Sequence, residues 1–398
     1  MGYVGWIGTF QGRKGTGKER VFESEMVKEL RAQGAILYVK TSVPHTLMTG
    51  ETVNNIIEYT YNPTNRNLSS GGSSGGEGAL IALRGSPVGF GTDIGGSIRI
   101  PAAFNGLYGL RPSTGRLPYE GMANTFDGAP GVLSVVGPLA TSAGALRLVT
   151  KSLLETEPWH HDPLVHEIPW RSDQEEAILK LAGEKKLCFA VFRHDGIVAP
   201  CPPVKRAIEQ VVDLVQSLGH KVVEWKPPSH AHLQDIINRA FSFDGGRDAK
   251  EAFELSGENP APQIMIGMGE QYNATQIMQT MVQKREACKA YMEYWNSTVD
   301  QTGTGRPVDA IISPLAPFPA ARKNAYTYYG YSFFVNLLDY TSVVVPVTKA
   351  DKNIDKEYTT FEPLNDEDKK TQATCKLIGM TCFRNSSLMC RPRRCRHL

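Results

Sequence analysis

Two serines lie in settings so rich in glycine that chemistry is the first question they raise. Ser73 stands in GGSSGG and Ser97 in DIGGSIR, with the apolar stretch ALIALRGSPVGF between them. Glycine lets a backbone approach a ligand closely and reach conformations closed to other residues. Successive free amides can then converge on one oxygen, as stabilisation of an oxyanion requires. Ile94, Gly95, Gly96 and Ser97 offer four candidate amides beside one hydroxyl. That set suits attack by Ser97 on a carbonyl carbon, with the backbone holding the developing charge. A serine hydroxyl is a weak nucleophile until a neighbour takes its proton. Ser73, flanked by glycine pairs, is placed to relay that proton to a base.

Other readings of the same residues are weaker. A flexible linker would not set Asp93, Arg99 and Pro101 hard against the glycines. GGSSGGEG lacks the ending of a phosphate loop, and Glu77 would repel phosphate. Upstream, GRKGTGKE (Gly12 to Glu19) has phosphate-loop spacing, but Glu19 stands where Ser or Thr should hold magnesium. Gly89 and Gly91 alone suit tight packing. His160, His161, Asp162 and His166 resemble a ligand cluster, yet Pro163 and Pro169 beside them mark a surface loop, so no metal site is expected.

The elements that must carry these loops are legible in part. SEMVKELRAQG reads as a helix, with Ser24 as N-cap, Met26, Val27 and Leu30 on one face and Gly34 as the stop. AILYVKT follows as a strand. KLCFAVF, PPVKRAIEQVVDLVQSLGH and KVVEW read as strand, helix and strand, and VDAIISP and TSVVVPV as two further strands. Alternation of this kind implies an α/β domain with a mainly parallel sheet covered on both faces. The aromatic run NAYTYYGYSFFVNLLDY (Asn324 to Tyr340) belongs either to the core or to a substrate pocket.

Bulk properties narrow the function. With 398 residues, 41% hydrophobic and 21% charged, the chain is globular. Its formal charge of +2 and lack of a basic stripe before the last residues argue against a nucleic-acid partner. No apolar run reaches membrane-spanning length, and MGYVGWIGTF resembles no signal peptide, so no membrane partner and a cytoplasmic location are expected. Trp6 stands where a myristoylation motif wants Ser or Thr. Cys188, Cys201 and Cys288 read as unpaired thiols of a reducing compartment. Cys375, Cys382, Cys390 and Cys395 form no CxxC pair, and the end of the chain, residues 371–398, reads as unstructured.

GGSSGGEGALIALRGSPVGFGTDIGGSIRIPA resembles the signature segment of the amidase signature family, and the chain from Met1 to about Lys370 is similar to its acetamidase and general-amidase branch. The resemblance implies one domain over residues 1–370, with a central twisted mixed β-sheet covered by helices on both faces. It implies hydrolysis of a small carboxamide without metal or cofactor. Ser97 would form the acyl ester, and Ser73, entered through a cis peptide from Gly72, would be the relay. Ser74, Thr92, Asp93 and Arg99 match positions that support the site from behind, and Leu47 one that lines an acyl pocket. The third member of the family triad is a lysine in a segment resembling PVSLKD, which would precede Met1. Lys40, in LYVKTSVPH, does not match it. On the sequence given, the expectation is therefore an amidase whose triad lysine is missing, and the alternative is either an amidase-like protein that binds without turnover or an incomplete gene model.

Overall fold

In a computed structural model, which describes residues 23–261, 263–265, 269–355 and 362–382, the first helix is α1 (Glu25–Ala32). Met26, Val27 and Leu30 are buried on its inner face, and Gly34 follows it at φ +86°. Ser24 precedes it in extended conformation, but its hydroxyl makes no cap bond; its carbonyl accepts from the amides of Val27 and Lys28. The phosphate-loop-like Gly12 to Glu19 lies outside the described residues. AILYVKT is not a strand: residues 35–41 form no ladder, and Ile36, Tyr38 and Val39 are exposed. An apolar run becomes a strand only where a neighbouring backbone supplies its hydrogen bonds.

The serine clusters belong to an antiparallel region. It comprises β1 (Val53–Asn54), β2 (Glu58–Tyr59), α2 (Gly75–Ala82), β3 (Val88–Asp93), α3 (Arg99–Phe104), β4 (Tyr108–Arg111), β5 (Val135–Ala140) and α4 (Ala143–Glu155). Strands β1 and β2 form a small hairpin. In the larger sheet β5 lies between β3 and β4, and all six of its residues are buried. Helix α4 packs against β5, and the hydroxyl of Ser142 caps it by accepting from the Ala145 amide.

A parallel region follows: α5 (Ser172–Gly183), β6 (Cys188–Val191), α6 (Pro202–Ser217), β7 (Lys221–Glu224), α7 (His230–Ala240), α8 (Arg247–Ser256), α9 (Ala274–Ser297), α10 (Val299–Thr302) and β8 (Ala310–Ile312). Strand β6 is flanked by β7 and β8, both parallel to it. Helix α6 starts at the two prolines, whose fixed φ suits a first turn. The chain then returns to the first sheet: α11 (Gly330–Leu337) is buried at every position, and β9 (Ser342–Val344) pairs with β4.

The sheet content is thus mixed, with the serine-bearing ladder antiparallel, because apolar runs mark strands but not their direction. The end of the chain also differs from expectation. Helix α12 (Asp366–Cys382) crosses the boundary at 370, with Asp368 accepting from the Ala199 amide at 3.1 Å and Gln372 donating to the Ala199 carbonyl at 2.6 Å. Cys188 and Cys288 are free, but Cys201 is disulfide-bonded. Pairing is made by folding, and spacing along the chain does not reveal it.

Candidate active site

The turn at Ser73 is built on close backbone approach. A side chain at Gly72 would come within 2.7 Å of the Glu51 backbone, so only glycine fits there. The Gly72–Ser73 peptide is cis. Thr52 fixes both sides of the bend: its hydroxyl donates to the Gly71 carbonyl at 2.9 Å and accepts from the Gly75 amide at 3.1 Å. The two clusters then meet, with the Ser74 amide donating to the Ser97 carbonyl at 3.1 Å. Ser73, Ser74 and Ser97 are all buried.

The loop at Ser97 hangs on one carboxylate. Asp93 ends β3, fully buried, and Thr92 before it pairs with Val136. Its Oδ1 accepts from the Gly96 amide (2.8 Å), Arg99 Nη2 (3.1 Å) and Asn336 Nδ2 (2.8 Å). Its Oδ2 accepts from the Ile98 amide (3.2 Å) and Arg99 Nε (3.0 Å). Burial would push this carboxyl's pKa up; the Arg99 guanidinium beside it, with Arg111 and Asn336, holds it below the usual carboxylate range. Gly96 sits at φ +127°, a conformation that L side chains rarely adopt.

One expectation changes here. The Gly96 amide points into Asp93, so it braces the loop and is not free for an oxyanion. Ile94, Gly95 and Ser97 remain the candidate donors. Asn336 and Ser332, both on α11, were absent from the sequence reading. Asn336 accepts from Arg99 Nη2 at 2.6 Å, and the Ser332 hydroxyl donates to the Gly95 carbonyl at 2.6 Å. Their only signal was two polar side chains inside an otherwise apolar stretch.

Part of the aromatic run lines a cavity of about 530 Å³, whose walls include Tyr326, Tyr328, Tyr329 and Phe333 together with Gln234 and Asn238. Phe333 joins this cavity to the serine loop, since a side chain at Gly95 would meet its ring at 2.8 Å. Leu47 is not on the cavity wall. It ends the short turn His45–Leu47 at φ +67°, and it is the next residue, Met48, whose carbonyl accepts at 2.8 Å from the amide of Met265, a wall residue.

Lys40 bonds to the backbone of its own segment. The residue is exposed, and its Nζ donates to the Thr41 carbonyl at 2.6 Å. Burial of its surroundings pulls its pKa down to about 8, opposed by the charge of Glu77. Exposure limits that lowering, and at about 8 the ammonium is mostly charged at neutral pH, with a minor neutral fraction that can accept a proton. The histidine cluster also separates: Asp162 is buried and accepts from the amides of Tyr119 and Glu120, whereas His161 faces Glu29 at 3.6 Å.

Comparison with known proteins bears on this geometry. The family described as Amidase matches residues 14–371. The chain belongs to the amidase signature family. It is 46% identical over 377 residues to an acetamidase of Aspergillus oryzae, an alignment covering 94% of this chain and 67% of that one. An acetamidase of Emericella nidulans is 44% identical over 375 residues, covering 94% and 66%. Among solved structures, a fatty acid amide hydrolase superposes with a TM-score of 0.81 at 29% identity, covering 90% of this chain and 62% of that one. The chain spans about two thirds of the length of these relatives. The family's α/β fold is the fold described above. Among the described residues, no helix is long and apolar enough to cross a membrane.

Proposed function

We propose that the protein is an amidase of the fungal acetamidase type, hydrolysing a small carboxamide through an ester on Ser97. The observation that carries this reading is the buried junction of the two clusters, where the Ser74 amide meets the Ser97 carbonyl. It brings the residue following Ser73 against the nucleophile, as a proton relay needs. Ser97 Oγ bonds to the carbonyl carbon while its proton passes through Ser73 to the lysine that the family resemblance assigns as base. The amides of Ile94, Gly95 and Ser97 stabilise the oxyanion. The C–N bond breaks as the nitrogen takes a proton back and leaves as ammonia. Water then cleaves the ester, releasing the acid and restoring the hydroxyl. No step calls for a metal or cofactor.

A small acyl group fits the site because Phe333 lies against Gly95 and stacks on Tyr329, with ring centroids 5.0 Å apart, narrowing the space beside the serines. The acetamidases among its relatives point the same way. Acetamide is therefore the substrate to try, with ammonia release and acetylation of the Ser97 peptide as readouts. Hydrolysis that survives Ser97→Ala overturns the reading. We place the protein in the cytosol on its free thiols Cys188 and Cys288, with Cys201 bonded; recovery of the protein in a secreted or vesicular fraction would overturn that placement.

A further inference from the structure

We propose that Glu51 is a positioning residue that holds the aromatic wall of the cavity in register with the turn at Ser73. The inference rests on the roles assigned above to Ser73 and Ser97. Glu51 is 1% exposed, so its carboxylate has given up nearly all contact with water. Three donors compensate. The amide of Tyr326 donates to Oε1 at 2.8 Å, the amide of Asn324 to Oε2 at 2.8 Å, and the Tyr59 hydroxyl also to Oε2. Three donors on two oxygens is the pattern of an ionised carboxylate, even though burial pushes its pKa up.

The two ends of this residue serve different parts of the site. Its backbone packs on Gly72, the residue that leads into Ser73. Its side chain grips the backbone of Asn324 and Tyr326, both on the cavity wall. The residues on either side of Glu51 repeat the arrangement. The Gly50 amide donates at 2.8 Å to the hydroxyl of Tyr329 on the wall, while Thr52 holds the Gly71 carbonyl and the Gly75 amide. A second tether runs parallel, since the Ser69 amide donates to the Ala321 carbonyl at 2.7 Å. The wall segment therefore reaches the serine turn by backbone bonds at one end and by the Glu51 carboxylate at the other. Without that carboxylate, the buried amide of Tyr326 would lose its partner.

Glu51→Gln tests this with little change in volume. The Gln amide group turns a donor toward a donor, whichever way it lies, so at least one grip on the wall is lost. Hydrolysis of acetamide and hexanamide is compared in wild type and variant, alongside labelling of Ser97 by short- and long-chain alkyl fluorophosphonates. Positioning of the wall predicts that the ratio of kcat/KM for the two amides shifts at least fivefold, carried mainly by KM, and that the ratio of labelling rates shifts with it. Tyr59→Phe, which removes one donor and keeps the ring, should shift both ratios in the same direction by less, and it serves if Glu51→Gln does not fold. Equal loss on both amides, with unchanged ratios in both variants, would show a merely structural carboxylate and overturn the inference while leaving Ser97 as nucleophile. Wild-type protein that neither hydrolyses acetamide nor labels at Ser97 would overturn the amidase reading and this inference with it.

Discussion

The antiparallel region and the parallel region are held together by different forces. Around the serines, directional polar bonds dominate: Asp93 binds two amides, Arg99 and Asn336, and Thr52 binds both limbs of the Gly71–Gly75 bend. Around β6, shape dominates, with Val191, Ile208 and Val212 packed together and a larger cluster joining Ile236, Ile237, Tyr291 and Phe334. The serine loops need backbone conformations that burial alone would not select, such as φ +127° at Gly96. Burial is non-directional, so it stabilises a shape without choosing an amide's direction. Hydrogen bonds choose directions, but each orphaned buried partner then costs about 1–3 kcal/mol.

The largest expected effect is on chemistry. Ser97→Ala should lower kcat for acetamide by at least about 1,000-fold, with the melting temperature nearly unchanged, as read by ammonia release and calorimetry. Ser73→Ala should follow it closely. Full activity in either variant would remove that serine from the mechanism. Next comes Asp93→Asn, which leaves the Arg99 guanidinium buried without its counter-charge. A broken buried pair costs about 3–5 kcal/mol, so urea unfolding should show that loss. The serine loop should also lose activity at temperatures where the variant is still folded.

Ile208→Ala is the control that sharpens the comparison. It removes a buried side chain from α6 in the parallel region, at a cost of about 2–4 kcal/mol. Its kcat, measured well below its melting temperature, should stay within about threefold of wild type. If Asp93→Asn and Ile208→Ala lost activity in the same proportion to stability, directional bonds would not set the serine region apart from the parallel one.

The contrast also explains what could be read in advance. Both glycine–serine clusters were visible because each is local: the residues that shape the backbone adjoin the residue that reacts. The β6–α6–β7 unit was visible for the same reason, an apolar run, two prolines and a 3.6-residue repeat. Asn336 and Ser332 were not, because they reach Asp93, Arg99 and Gly95 from the far end of the chain, and no local pattern announces a partner at that distance. AILYVKT failed because composition cannot say whether a neighbouring strand exists, and Cys201 because pairing depends on the fold. The Gly96 amide was misassigned because sequence shows an amide's presence but not its direction.

The smallest expected effect separates the regions by pH. His230, on α7 beside Tyr291 and Phe334, is buried, and burial lowers its pKa from the model-peptide 6.5 to about 4. The folded imidazole thus stays neutral where the unfolded one takes a proton, so its contribution is fully present above 6.5 and is lost as pH falls toward 4. Between pH 7 and 5 this amounts to about 2 kcal/mol of unfolding free energy. Asp93 shares that sign but not that window: its carboxyl is held below the usual range, so what it contributes is lost only as pH falls beneath the carboxylate region. The parallel region should therefore loosen first on acidification. Comparing wild type with His230→Phe in urea at pH 7 and pH 5 isolates the effect, since every other titrating group is common to both. If the variant's stability falls between those pH values as much as wild type's, His230 is not what makes the parallel region acid-sensitive.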